Sequence, residues 1–422
     1  MTTLIGFLMI GFVVFLLIKD KFALAPVFVL IPTVASLLCG FSLQETAGFV
    51  ADGINSVLNT ALLFVFSILY FGILGDIGIF ELLVQKVVKI LNHNITILMI
   101  ATALLCMLIQ MDGSGAMTIL IMIPAMLPIF DAMRIPRVVL VYLVSSSTAI
   151  SNMFPWCSAM LRLSAASGVD SMEIWKYMIP IQAAAIFVTL FIDIWISIRL
   201  KRHGSGISKE DFLQLKKQMG ESAKLKVPMP IAVFDVCYTI ILLALLLMGY
   251  VTSTFAFMFS VGVILIVNFR DVKEQNEKIK KHGTTAYPLV LVIFCLGAMV
   301  GIMKGSGMVN AIAQAFIALI PRSLGQFTAF LYGLIGVPVS MIVGSDCCYS
   351  ILTPILGEIN IQYGGNMLQA CAAVIITSSM AANISLVGAV PYLSIGLAGI
   401  TMKDNIKPEL FTTLPRMWLK AT

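Results

Sequence analysis

The stretch "QMDGSGAMTILIMIPAMLP", residues 110–128, decides how this chain is read. It sits within a long apolar run, yet it carries an aspartate, two glycines, a serine and two prolines. Glycine and proline are poor in a helix interior. A charge at the centre of a bilayer costs at least ~2.5–3.5 kcal/mol on insertion scales. Residues 110–128 are therefore predicted to be the tip and return arm of a membrane hairpin, where unwound backbone lines a cavity or is buried in protein.

The composition supports a membrane setting. Of 422 residues, 59% are hydrophobic and only 11% charged, against about 25% charged in a soluble domain. Apolar segments near the length that spans a bilayer alternate with short polar loops, the pattern of a polytopic helical protein. The first segment has no basic residue before its apolar run and no small-residue cleavage site after it, so a retained first helix is expected. The eight cysteines lie mostly in apolar segments, and no disulfide, structural metal or resident cofactor is expected. His93, His203 and His282 fall in basic loops and are expected at the surface. The net charge of +6 comes without an aromatic-interleaved basic patch, so nucleic acid is not an expected partner. No nucleophile–base set and no HExxH motif suggests an enzyme.

The chain repeats itself. Apolar segments near 2–18, 22–40 and 57–75 reappear near 231, 251 and 286. "GILGDIGIFELLVQ" from Gly72 and "GIMKGSGMVNAIAQ" from Gly301 keep the same step, pairing Gly72 with Gly301, Gly78 with Gly307 and Gln85 with Gln314. Asn152 and Asn383 each interrupt a long apolar helix. The expected organisation is a first repeat over 1–199 with a hairpin at about 94–130, a cytoplasmic linker over 200–230, and a second repeat over 231–422 with a hairpin at about 323–360. With the N-terminus outside, the inside loops are 19–21, 76–93, 131–137, 200–230, 269–286 and the C-terminus. All Lys and Arg except Arg162, Lys176, Lys304 and Arg322 lie in or beside these loops, and the outside loops 41–56, 250–251 and 361–365 have none. Basic residues favour the cytoplasmic side, which sets this orientation. Five crossings in the first repeat invert the second. The expected fold is an all-α polytopic membrane protein with inverted structural repeats, each with a re-entrant hairpin and a broken transmembrane helix, in a bacterial inner membrane. Such repeats recur in secondary transporters, with half-helix ends meeting near the midplane.

The breaks supply the candidate site: Asp112, Gly113, Ser114, Thr118 and Ser147 from the first hairpin and helix, with Asn152 and Arg162 beyond them. From the second half come Ser345, Asp346, Ser378 and Asn383. Unwound N–H groups and half-helix ends bind anions and cations. Arg162 suits a bidentate contact with a substrate carboxylate, or snorkels to the outer interface. Asp112 and Asp346 are candidates for a coupling proton or cation. Asp193 and Asp235 flank the basic linker and are expected near the interface. Cys347 and Cys348 read as small buried residues.

"MDGSGAMTILIMIPAMLPIF" followed by "SNMFPWCSAMLRLSAAS" resembles the citrate–metal–proton symporter family. The likeness is carried by Asp112, Gly113, Thr118, Asn152, Pro155, Trp156 and Arg162. "VPVSMIVGSDCCYSILTPILGEI" and "PYLSIGLAGITMKDNIKPELFTTLPRMW" extend it over nearly the whole chain. The resemblance implies a symporter that imports a small carboxylate, citrate or a citrate–divalent metal complex, with protons or another cation. Mg²⁺ or Ca²⁺ would then be part of the substrate. It also implies a homodimer and an elevator-like motion. The chain departs from the family at Ser114-Gly115, at Ser345-Asp346-Cys347-Cys348 and in "TSSMAANISLVGAVP", and it stops where the family usually adds one more helix. A same-fold transporter for another organic or inorganic anion, or a Na⁺/H⁺ exchanger, is the alternative reading of the same residues.

Overall fold

The computed structural model describes residues 2–19, 22–90, 93–113, 115–208, 210–212, 227–319, 322–384 and 389–401. Among these residues every regular element is helical. The first half contains α1 (Thr2–Ile18), α2 (Leu24–Leu38), α3 (Leu43–Ile77), α4 (Ile79–Ile90), α5 (Ile95–Ile109), α6 (Gly115–Ala132), α7 (Arg137–Ser151), α8 (Ser158–Ser167) and α9 (Ser171–Arg202). The second contains α10 (Met229–Met248), α11 (Ser253–Asn268), α12 (Val272–Gly305), α13 (Met308–Leu319), α14 (Thr328–Val343), α15 (Thr353–Gln362), α16 (Met367–Ala382) and α17 (Ala389–Ala398). Among the described residues α3, α6, α9, α10 and α12 are long and apolar enough to cross a membrane. With their backbone groups paired internally, helices satisfy the main constraint that lipid imposes. The protein is a multi-pass helical membrane protein.

Three expected loops are helical. Residues 43–56 form the start of α3, because Ser42 and Glu45 cap it: Ser42 N–H donates to Glu45 Oε2 at 2.8 Å and Glu45 N–H to Ser42 Oγ at 3.2 Å. That reciprocal pair satisfies donors a helix start would otherwise leave bare. Most of the 269–286 loop is the start of α12, with Asp271 at its N-cap. His282 is consequently buried within α12, while His93 and His203 are exposed. Residues 79–90 form α4, whose "IFELLVQKVVKI" has apolar residues at helical spacing interrupted by Lys86 and Lys89. Asp193 and Asp235 are both fully buried. Helix α9 runs unbroken to Arg202, which keeps Asp193 more than two turns from the helix end.

Element bounds recur along the chain. α3 and α12 begin at 43 and 272, and α4 and α13 at 79 and 308; each step is 229. Left-handed glycines recur too. Gly78 (φ 90°) and Gly307 (φ 74°) each separate a long helix from a short one. Gly113 (φ 77°) and Gly344 (φ 91°) each turn a hairpin tip, and Gly168 (φ 77°) and Gly399 (φ 66°) each follow the second arm of a broken helix.

The chain divides into two compact units that cut across its halves. The first comprises Met1–Tyr70, Asn152–Ile179 and Leu242–Val387. The second comprises Phe71–Ser151, Pro180–Ile241 and Gly388–Thr422. In the first unit α3 and α12 pack backbone to backbone. A Cβ at Gly301 would meet the Phe49 carbonyl oxygen, and one at Gly53 the Gly297 carbonyl oxygen. Small residues at such crossings let transmembrane helices gain dispersion contacts that lipid cannot supply. In the second unit α5, α6 and α7 pack against one another. Their contact faces are buried apolar residues such as Leu98, Met122, Ile123 and Leu140.

Candidate functional site

In the first unit, α14 ends at Gly344, whose left-handed backbone glycine adopts without steric cost. A short helical turn, Ser345–Cys347, and a π-helical turn, Cys348–Leu352, lead into α15. Single π-turns are frequent at functional sites. Asp346 lies in this tip and forms an ion pair with Arg162 of α8. The Arg162 side chain is only 16% exposed and that of Asp346 is 47% exposed. The pair is thus dry at one end and open at the other.

Hydroxyls and a thiol form a hydrogen-bonded network at the same tip. Ser345 Oγ donates to the Ser378 carbonyl at 2.8 Å, and Ser378 Oγ lies 2.9 Å from Ser340 Oγ. Ser340 Oγ also reaches Cys348 Sγ at 3.1 Å, and Tyr349 Oη lies 3.1 Å from Ser379 Oγ. Cys347 and Cys348 are buried, as the sequence reading has them. α16 presents Ser378 and Ser379 to the tip and ends at Asn383, which is buried.

The break before α8 is held by aromatic packing. Phe154 stacks on Trp156 with ring centroids 5.6 Å apart, and Trp156 meets Phe257 edge-on at 5.5 Å. Met153, Leu163, Trp175, Cys348, Tyr349 and Ile375 join one buried cluster. Asn152 opens the break and Arg162 projects from the helix that follows. A wide aromatic base fixes α8, and so fixes the guanidinium.

In the second unit, α5 turns through a 3₁₀ segment, Gln110–Asp112, and Gly113 closes the tip before α6. Asp112 sits in that segment; its side chain and all of Ser114 lie outside the described residues. Thr118 Oγ1 donates to Gln110 Oε1 at 2.7 Å, and both residues are fully buried. Ser151 Oγ donates to the Met107 carbonyl at 3.4 Å, tying α7 to α5. Ser147 is fully buried on α7, and its Oγ has no hydrogen-bond partner among the described residues.

The structure therefore joins Arg162, Ser345, Asp346 and Ser378 into one connected group. Gly113, Thr118 and Ser147 belong to the other unit. Sequence reading missed Gln110, Ser340, Tyr349 and Ser379. Gln110 and Ser340 are lone polar residues in apolar runs, a weak but readable signal. Tyr349 and Ser379 carry none, because their pairing depends on which helix faces which.

Comparison with known proteins follows the same lines. Residues 12–380 match the family described as "Citrate transporter". Two relatives come from Bacillus subtilis (strain 168). One, named "Citrate transporter", is 28% identical over 407 residues, covering 96% of this chain and 94% of that protein. The other, named "Mg(2+)/citrate complex secondary transporter", is 28% identical over 412 residues with the same coverage. Among solved structures, the Alcanivorax borkumensis YdaH transporter, described as having an unusual topology, aligns with a TM-score of 0.53 at 15% identity. That alignment covers 90% of this chain and 85% of that one, and it supports the fold.

Proposed function

The chain belongs to the citrate transporter family and is a membrane transporter; from that premise we propose that it imports citrate or a citrate–divalent metal complex together with protons or another cation. The observation that carries this reading is the Arg162–Asp346 pair at an unwound tip surrounded by hydroxyls. Guanidinium is built for bidentate recognition of carboxylate. Asp346 pairs with it. An incoming substrate carboxylate competes for the same N–H groups, and the displaced Asp346 is then free to take a proton or to face a substrate-borne cation. Ser345 and Ser378 offer hydroxyls to the remaining substrate oxygens.

A divalent metal in this reading travels with the citrate, through oxygen ligands that suit Mg²⁺ and Ca²⁺. Asp112, like Asp346, is the candidate for the coupling proton or cation, while Gly113, Ser114, Thr118, Ser147, Asn152 and Asn383 remain candidates for substrate contact. The recurrence of helix bounds and left-handed glycines at steps of 229 to 231 supports an inverted repeat. We extend the reading to repeats over 1–199 and 231–422, an outside N-terminus, an inside C-terminus, a bacterial inner membrane and a homodimer. The test is uptake of labelled citrate into proteoliposomes under an inward proton gradient, with Mg²⁺, with Ca²⁺ and with chelator. Saturable, metal-dependent accumulation is expected. Accumulation of other anions but not citrate, by folded protein, overturns the substrate; ion exchange without any organic substrate overturns the symporter.

A further inference from the structure

We propose that Asp193, on α9 of the second unit, is a proton-binding site reached from the Arg202 end of that helix along a stripe of polar side chains. The inference rests on the transporter reading only for what the proton drives.

Asp193 is fully buried within a membrane helix, and neither carboxylate oxygen has a hydrogen-bond partner among the described residues. Buried carboxylates in membrane proteins are ordinarily paired with a cation or lie along a proton path. No described lysine, arginine or histidine pairs with this one. Cys106 of α5 and Tyr142 of α7 lie within electrostatic reach of it, and neither can supply a positive charge. An ionised aspartate there has no partner to replace its hydration, a cost that a bound proton removes.

A proton site needs access. Asp193, Ser197 and Lys201 are spaced by four and share one face of α9. Ser197 Oγ lies 2.8 Å from Thr96 Oγ1 on α5. Lys201 Nζ donates to Thr96 Oγ1 at 2.9 Å and to Asn94 Oδ1 at 2.8 Å. Lys201 is exposed and Ser197 is fully buried. The hydrogen-bonded stripe therefore runs from the surface to Ser197, one helical turn from the carboxylate, and Lys201 to Asp193 spans eight residues, about 12 Å of helix rise. No substrate-sized opening is needed to load it.

The test compares Asp193→Asn, which mimics the protonated acid, with the parent protein in proteoliposomes and in detergent. Citrate accumulation driven by a proton gradient is expected to fall at least tenfold, while citrate–citrate exchange stays within twofold. Infrared difference spectra are expected to lose a buried carboxylic C=O band that the parent displays at neutral pH and that shifts in deuterium oxide. If Asp193→Asn fails to fold, Asp193→Glu carries the same readout, with a displaced band expected. Undiminished gradient-driven accumulation in the Asn variant, or a C=O band unmoved by either substitution, overturns the proposal. The infrared readout needs no substrate. A parent that moves no citrate therefore defeats the proposed function, while the band alone decides Asp193.

Discussion

The two hairpin tips each turn at a glycine of positive φ, with different ψ, and carry opposite kinds of polar pair. Gly113 and Gly344 both adopt left-handed backbone and both lead from one arm into the next. At the first tip the described pair is neutral and sealed, with Gln110 and Thr118 both fully buried. At the second it is charged and partly open, with Asp346 half exposed beside a nearly buried Arg162. A sealed neutral pair cannot change partners without leaving a buried oxygen bare. A charged pair open at one end can. Each tip thus turns at a glycine, and the side chains around it differ in whether they can exchange partners.

Arg162→Gln is the largest expected effect. Truncating one partner of a hydrogen-bonded charge pair costs roughly 2–5 kcal/mol, so citrate uptake at fixed concentration should fall by about 30-fold or more. Adding Asp346→Asn tests what the arginine is for. If it holds substrate, the neutral double variant stays inactive. If uptake returns in the double variant, the pair only braces the tip, and the contrast between the tips collapses.

Next comes the frame behind the second tip. Gly301→Leu drives a side chain into the Phe49 carbonyl across the α3–α12 crossing. Overpacking of this kind costs about 1–3 kcal/mol, and backbone gives way less readily than a side chain. The thermal midpoint in detergent should drop by several degrees. Gly262→Ala, whose new Cβ meets nothing within 4 Å, should stay near the parent. Equal midpoints for the two variants would mean that the crossing is looser than its geometry.

Thr118→Val probes the first tip alone. It removes the donor to a buried Gln110 oxygen, and stranding such an atom costs about 1–3 kcal/mol. Stability should fall while the citrate KM stays within twofold, and Thr118→Ser should restore the midpoint. A tenfold rise in KM would put substrate at the first tip and erase the division of labour.

Much of this was legible in the chain. The hairpin around residues 110–128 and the breaks at Asn152 and Asn383 follow from glycine, proline and polar residues where a membrane helix does not want them. The step of 229 was readable from Gly72, Gly78 and their partners. The helical starts of α3 and α12 were not. Their polar composition reads as loop, and only the Ser42–Glu45 cap and the Asp271 N-cap point the other way. The Arg162–Asp346 pair was equally hidden, because 184 residues separate its members. Sequence named both residues as functional and gave each a separate ligand; only the fold made them partners. The burial of Asp193 was hidden for a related reason, since it depends on which helices pack against α9.

The smallest prediction compares matching positions at the start of α16 and α7, residues 366 and 137. Asn366 closes a capping box: its side chain accepts from Gln369 N–H at 2.9 Å, and Gln369 Oε1 accepts from Asn366 N–H at 3.1 Å. At the other position Arg137 grips Asp131 through Nε at 2.9 Å and a terminal nitrogen at 2.8 Å, with both side chains about two-fifths exposed. The neutral cap satisfies backbone donors that have no other partner, so Asn366→Ala should cost about 1 kcal/mol at any ionic strength. The exposed ion pair is screened by salt and gains little in water. Asp131→Asn should therefore lower the midpoint less than Asn366→Ala does, and the deficit should vanish in high salt. Neither change should touch citrate KM. A salt-independent loss at Asp131 would show the charged start to be as structural as the capped one, and the two halves would then differ only at their tips.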